Sequence, residues 1–191
     1  MLGQKSVFAE ECFKGGFIGV DFNLKVDLTN KKYDNFKSFN HDFIPILLKE
    51  NDKETKVSAG LRCGFLYTVA MGMQIGDVVL SPKGDGSYYV GEISGGYSYH
   101  PDSNLPHQRQ VKWFNKKIER SEMSDSLRHS TGSIGTLSNI TKYEAELKKL
   151  IGNKNKINVS TNDDTIEDPS VFALEKHLED FLIANWKHTE L

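Results

Sequence analysis

The segment "GDVVLSPKGDGSYYVGEISGGYSY", Gly76 to Tyr99, constrains the fold more than any other part of the chain. An apolar run leads through Pro82 into the turn "KGDG", and a second run then alternates large side chains with small or polar ones. Two such runs flanking a glycine-rich turn predict a β-hairpin. A lone hairpin is marginal in water, so further elements must cover it. In "GGFIGVDFNLKVDL", Phe17, Val20, Phe22, Leu24 and Val26 alternate with polar or small residues, which predicts a half-buried strand. "RQVKWF" predicts another.

Helical spacing appears between these strands. "FNHDFIPILLKEN" places Phe39, Phe43, Ile46 and Leu47 on one face, with Pro45 inside, and predicts a short or broken helix. "VSAGLRCGFLYTVAMGM" has an apolar face at 61, 65, 66, 69 and 70, weakened by Gly60, Gly64 and Gly72. "KKIERSEM" leads into a short helical stretch at "SDSLRHS". Thr141 and Glu144 have capping-box spacing before "YEAELKKLIG", and Gly152 is a natural stop. These elements predict an α+β domain over residues 1–151. Residues 152–170 are polar and read as a linker. Residues 171–191 read as an amphipathic helix with Leu174, Leu178, Phe181, Leu182 and Trp186 on one face. Such a stripe must dock on the body, self-associate, or open a further domain.

A chain of 191 residues can bury one good core. It contains no run of about twenty apolar residues that could span a bilayer. The start, "MLGQKSVFAEECF", lacks the features of a secretory signal, so a cytoplasmic protein is expected. Cys12 and Cys63 fit neither a disulfide framework nor a zinc ribbon and are expected to be buried thiols. With a net charge of −2, any nucleic-acid contact must come from a local patch.

Catalytic patterns are weak. The histidines lie in separate segments without metal-ligand spacing, and "GDG" lacks the Lys-Ser/Thr of a phosphate loop. Neither a metal nor a cofactor is expected in this chain, and no catalytic residue is assigned. The rings carry more information. Tyr88, Tyr89, Tyr97, Tyr99 and Trp113 fall on neighbouring predicted strands, and period two puts Tyr97 and Tyr99 on one face. Rings so placed either pack a core or make a stacking slot, in which a base gains about 1–3 kcal/mol per aromatic partner. Arg109, Lys112 and Arg120 could hold phosphates beside it.

"GMQIGDVVLSP" followed by "YYVGEISGGYSYHPD" resembles the EVE branch of the PUA-like superfamily, and "CFKGGFIGVDF" resembles the early segment of those domains. The longer run from "CGFLYTVAMGM" through "RQVKWF", with "IERSEMSDSLRHSTGSIGT", looks like the amino-terminal half of restriction-endonuclease-like proteins. In these, an EVE-like or Mrr-amino-terminal-like reader precedes a PD-(D/E)XK nuclease related to NucS. "FALEKHLEDFLIANWKHTEL" is similar to the helix opening that nuclease. The resemblance implies a PUA-like small β-barrel with flanking short helices that recognises a flipped, modified base in DNA. Phe17, Ile18, Val20, Tyr97, Tyr99 and Trp113 would line the pocket, and Arg109, Lys112 and Arg120 would hold phosphates. The expected partners are modified DNA and a carboxy-terminal nuclease domain, or a second copy bound through 171–186. Two alternatives remain. One is a nucleotide-directed hydrolase or nuclease using Glu92, His100 and His107 as acid-base groups; the other is a protein-interaction domain presenting the helix at 171–186.

Overall fold

The structure is a computed structural model that describes residues 6–51, 53–132 and 137–152. The expected helix at 171–191 and, apart from Gly152, the expected linker lie outside the described residues. The chain runs α1 (Ala9–Gly15), β1 (Phe17–Val20), α2 (Phe36–Glu50), α3 (Lys56–Tyr67), a π-helical turn (Thr68–Gly72), β2 (Val78–Pro82), β3 (Ser87–Tyr99) and β4 (His107–Glu119). A 3₁₀ turn (Arg120–Glu122), α4 (Asp125–Thr131), a second 3₁₀ turn (Thr141–Tyr143) and α5 (Glu144–Ile151) follow. The fold is α+β, built on an antiparallel sheet of order β1-β4-β3-β2.

The hairpin forms as its sequence predicts: β2 pairs with β3 from Val78 opposite Glu92 to Pro82 opposite Tyr88. Asp85 closes the turn, accepting from the Ser87 N–H at 3.0 Å and from the Ser87 hydroxyl at 2.6 Å. Pairing of β3 with β4 shifts register between Tyr89 and Gly91 and again between Ile93 and Tyr97. Such bulges add local twist and curl the sheet.

Three expectations change. The first strand stops at Val20, because the Asp21 carboxylate accepts from the Asn23 N–H at 2.8 Å and Asn23 takes a left-handed φ of 61°. An Asx turn of this kind ends an extended run. α2 is continuous through Pro45: Phe39 and Phe43 before it and Leu47 after it are buried in one cluster, which holds the helix across the missing N–H. The expected capping box of α5 does not form. The 3₁₀ turn leads straight into that helix, and the Glu146 carboxylate instead accepts from the Ser124 N–H at 2.7 Å and its hydroxyl at 2.8 Å, tying α5 to α4.

Side chains alternate across the sheet to fill two cores. Ile18, Val20, Val79, Tyr89, Ile93 and Val111 pack with α1, α2 and α3. Leu80, Tyr88, Val90 and Ile118 pack with Leu127 of α4 and Leu147 of α5. Cys12 and Cys63 are buried free thiols on the larger side, and burial pushes both up to about 12. Among the described residues no helix is long and apolar enough to cross a membrane.

Gly91 lies where β3 passes beneath Trp113: a Cβ there would stand 2.5 Å from Val111 Cγ1 and 2.7 Å from Trp113 Cε3. Gly91→Ala is therefore expected to destabilise the domain by about 1–3 kcal/mol through overpacking. Urea unfolding would read this as a lower midpoint with an unchanged slope.

Candidate functional site

Period two puts Tyr97, Tyr99, His107, Arg109 and Trp113 on the larger-core face of the β3–β4 pair, with Tyr97 opposite Arg109 and Tyr99 opposite His107. Their polar atoms reach across to main chain. Trp113 Nε1 donates to Cys12 O in α1 at 3.1 Å. Arg109 Nε donates to Val69 O at 2.6 Å and Nη2 to Ala70 O at 2.9 Å, both in the π-helical turn. His107 Nε2 donates to Leu24 O at 2.8 Å.

The rings do not gather into one slot. Tyr97 and Tyr99 are half-buried against His107, with ring centroids 6.0 and 5.1 Å from it. Trp113 belongs to a separate group, 6.0 Å from Phe13 and 6.0 Å from Tyr89, whose own rings stack at 4.1 Å. Ile18 and Val20 are closed in the core, and Phe17 is half-buried. The two ends of the Tyr97 hydroxyl are engaged: it donates to His107 Nδ1 at 2.8 Å and accepts from the Leu28 N–H. The face of the hairpin that carries the tyrosines is thus occupied by the protein's own segment 21–28.

The three expected phosphate residues separate as well. Arg109 is buried and directed at carbonyls. Arg120 is half-buried, donating to Tyr88 Oη at 3.0 Å and to Arg128 O at 2.9 Å, in the smaller core region. Lys112 is exposed and stands opposite Glu92 in the ladder. Of the residues considered for acid-base work, Glu92 and His107 lie on opposite faces of the sheet, and exposed His100 hydrogen-bonds the Ser98 hydroxyl at 3.0 Å. Among the described residues no cluster of three or more His, Cys, Asp or Glu could hold a metal ion.

Burial holds His107 below its usual value of 6.5 despite the Leu24 carbonyl, which favours the charged form. Because that carbonyl can only accept, Nε2 carries the proton and Nδ1 accepts from Tyr97. Arg109 is likewise lowered by burial. Tyr97 is raised, chiefly by burial.

A hollow does open on the far side of segment 21–28. A cleft of about 360 Å³ is lined by Asn23 and Lys25 of that segment, Leu47, Glu50 and Asn51 at the end of α2, and Arg62 of α3. Arg62 Nη2 pairs at 3.2 Å with Glu54, whose side chain is 3% exposed, so the guanidinium is held from behind. None of the sequence-expected pocket residues lines this cleft. Its residues come from three separated stretches with no shared motif, so no local pattern marks them.

The chain matches the model of a family described as Domain of unknown function (DUF8426) over residues 2–141, and it belongs to that family. No curated protein and no solved structure matches it.

Arg109→Met keeps most of the volume but leaves the Val69 and Ala70 carbonyls without their buried donor. It is expected to cost about 3 kcal/mol of stability, with a smaller loss for Arg109→Lys, whose ammonium cannot bridge both oxygens as a fork. Thermal and urea unfolding of both variants would check the order.

Proposed function

We propose that this domain is a nucleic-acid-binding reader of the PUA-like, EVE-like kind, which takes a base out of its stack for inspection and serves a restriction-type nuclease. The observation that carries this reading is the polar cleft at Asn23, Lys25, Asn51 and Arg62. Its volume falls within the range of about 300–1,000 Å³ of small-ligand sites. The carboxamide of Asn23 combines donor and acceptor, the chemistry that reads a base edge, while that of Asn51 shapes the rim, accepting from the Lys53 N–H at 3.1 Å and donating to Glu54 at 3.4 Å. Arg62 offers a flat guanidinium on which a base can stack, and Lys25 is exposed beside it for the strand's phosphate.

In this reading the expected tyrosine slot moves one layer away. Tyr97 and Tyr99 do not hold the guest but back the segment that does. A PUA-like barrel, DNA as the target and a modified cytosine or adenine as the guest are parts of the proposal drawn from the resemblance in "GMQIGDVVLSP" and "YYVGEISGGYSYHPD".

The test uses oligonucleotide duplexes carrying single modified cytosines or adenines, alongside unmodified duplex. Asn23→Gly preserves the left-handed backbone while deleting the carboxamide, and should weaken binding of the preferred modified duplex by about 1–3 kcal/mol while leaving bulk duplex binding unchanged. Lys25→Ala should weaken all sequences alike and lower the salt slope by about one. Equal losses for Asn23→Gly on modified and unmodified DNA would refute base reading at this cleft.

A further inference from the structure

The segment 24–28 is held in an unusual way. The Leu24 carbonyl and the Leu28 N–H are the pair that would close one turn of helix, yet they are joined through two side chains. Leu28 N–H donates to Tyr97 Oη, Tyr97 Oη–H donates to His107 Nδ1 at 2.8 Å, and His107 Nε2–H donates to Leu24 O at 2.8 Å. Every donor in this chain has one acceptor, but only while His107 is neutral. His107 has no exposed surface, so water cannot stand in for a lost partner.

Leu24 lies between Asn23 and Lys25, the two residues of this segment that line the cleft. Asn23 is itself fixed by the Asp21 carboxylate on its N–H. From these contacts we infer that His107 is the positioning residue of the cleft: neutral His107 holds Asn23 and Lys25 in their ligand-competent place, and a proton on its ring releases them. This rests on the cleft being the base site proposed above. Protonation makes Nδ1 a donor, so the Tyr97 hydroxyl proton loses its acceptor; the Nε2–H still reaches Leu24 O, but the ring is now a buried cation with no carboxylate in contact, and it is solvated only if segment 24–28 lifts to admit water.

The groups around the ring bear on this step from each side. Asp21 and Asp27 of the segment favour the charged ring at longer range, while Tyr97 and Tyr99 of β3 stack beside it. Arg109 is two residues along β4 on the same face, and β1 contributes the uncharged Val20 opposite. Burial lowers the folded-state value, so the unfolded chain binds the proton more readily. The bridge is therefore fully present above about 6.5 and is lost as pH falls from there through the lower folded-state value.

The experiment follows the ring and amide NMR signals of the full chain without ligand between pH 7.5 and 4.5, and in parallel titrates a duplex with one mismatched, extrudable base. The Asn23 and Lys25 amides should shift with the same midpoint as the His107 ring. Duplex affinity should fall below that midpoint, approaching tenfold per pH unit for one proton. Tyr97→Phe removes the donor to Nδ1 while keeping a ring beside His107, and should move the midpoint to higher pH. His107→Gln, which keeps a donor for Leu24 O and does not titrate there, should abolish the pH dependence. Asn23 and Lys25 signals that ignore the His107 titration, or a midpoint unmoved in Tyr97→Phe, would overturn the inference. Absence of duplex binding at any pH, with the amide transition intact, would instead overturn the base-reader assignment of the cleft.

Discussion

β4 carries a row of nitrogen donors that reach main-chain carbonyls on the neighbouring layer. Trp113 takes Cys12 O of α1, Arg109 takes Val69 O and Ala70 O of the π-helical turn, and His107 takes Leu24 O of the segment after β1. Carbonyls in irregular segments and at helix ends often lack a partner within their own element, and burying them bare costs about 1–3 kcal/mol each; Cys12 O in addition accepts from the Gly16 N–H that caps α1. One strand thus satisfies three different elements, and it fixes where each of them lies on the sheet.

The same constraint links the curled sheet to the cleft. β4 sits between β1 and β3 and one face of it packs into the larger core, so the side chains on that face have little freedom to shift. Gly19 lets β1 close against Leu105 and Gln108, and a Cβ there would stand 2.8 Å from Leu105 Cβ. With the strand fixed, the Leu24 carbonyl is fixed, and with it the cleft wall that Asn23 and Lys25 build against the end of α2. The cleft is thereby a consequence of the core on its far side.

Much of this was legible in the sequence. The hairpin declared itself through its turn and its period of two, and that period placed Tyr97 and Tyr99 on one face. What period cannot reveal is what covers that face. Segment 21–28 reads as a continuing strand by its alternation, yet Asp21 and Asn23 turn it out of the sheet and across the tyrosines, so rings expected to grip a guest hold the protein's own backbone. Pro45 argued for a broken helix, but it stands on the exposed side of α2, and burial of Phe39, Phe43 and Leu47 on the other side outweighs one missing hydrogen bond. The cleft residues were invisible because they meet only after α2 and α3 pack. His107 and Arg109 were noticed for charge chemistry, and their use as carbonyl donors depends on burial that no local pattern encodes.

Hydrogen exchange of the side-chain N–H protons of His107, Arg109 and Trp113 reads their bonds to the main-chain carbonyls without perturbing the fold. At neutral pH, exchange is expected to be slow at His107 Nε2, Arg109 Nε and Trp113 Nε1, matching the protection of core amides such as Ile93. Exchange at the rate of freely solvated side chains, in a domain whose sheet amides stay protected, would contradict it.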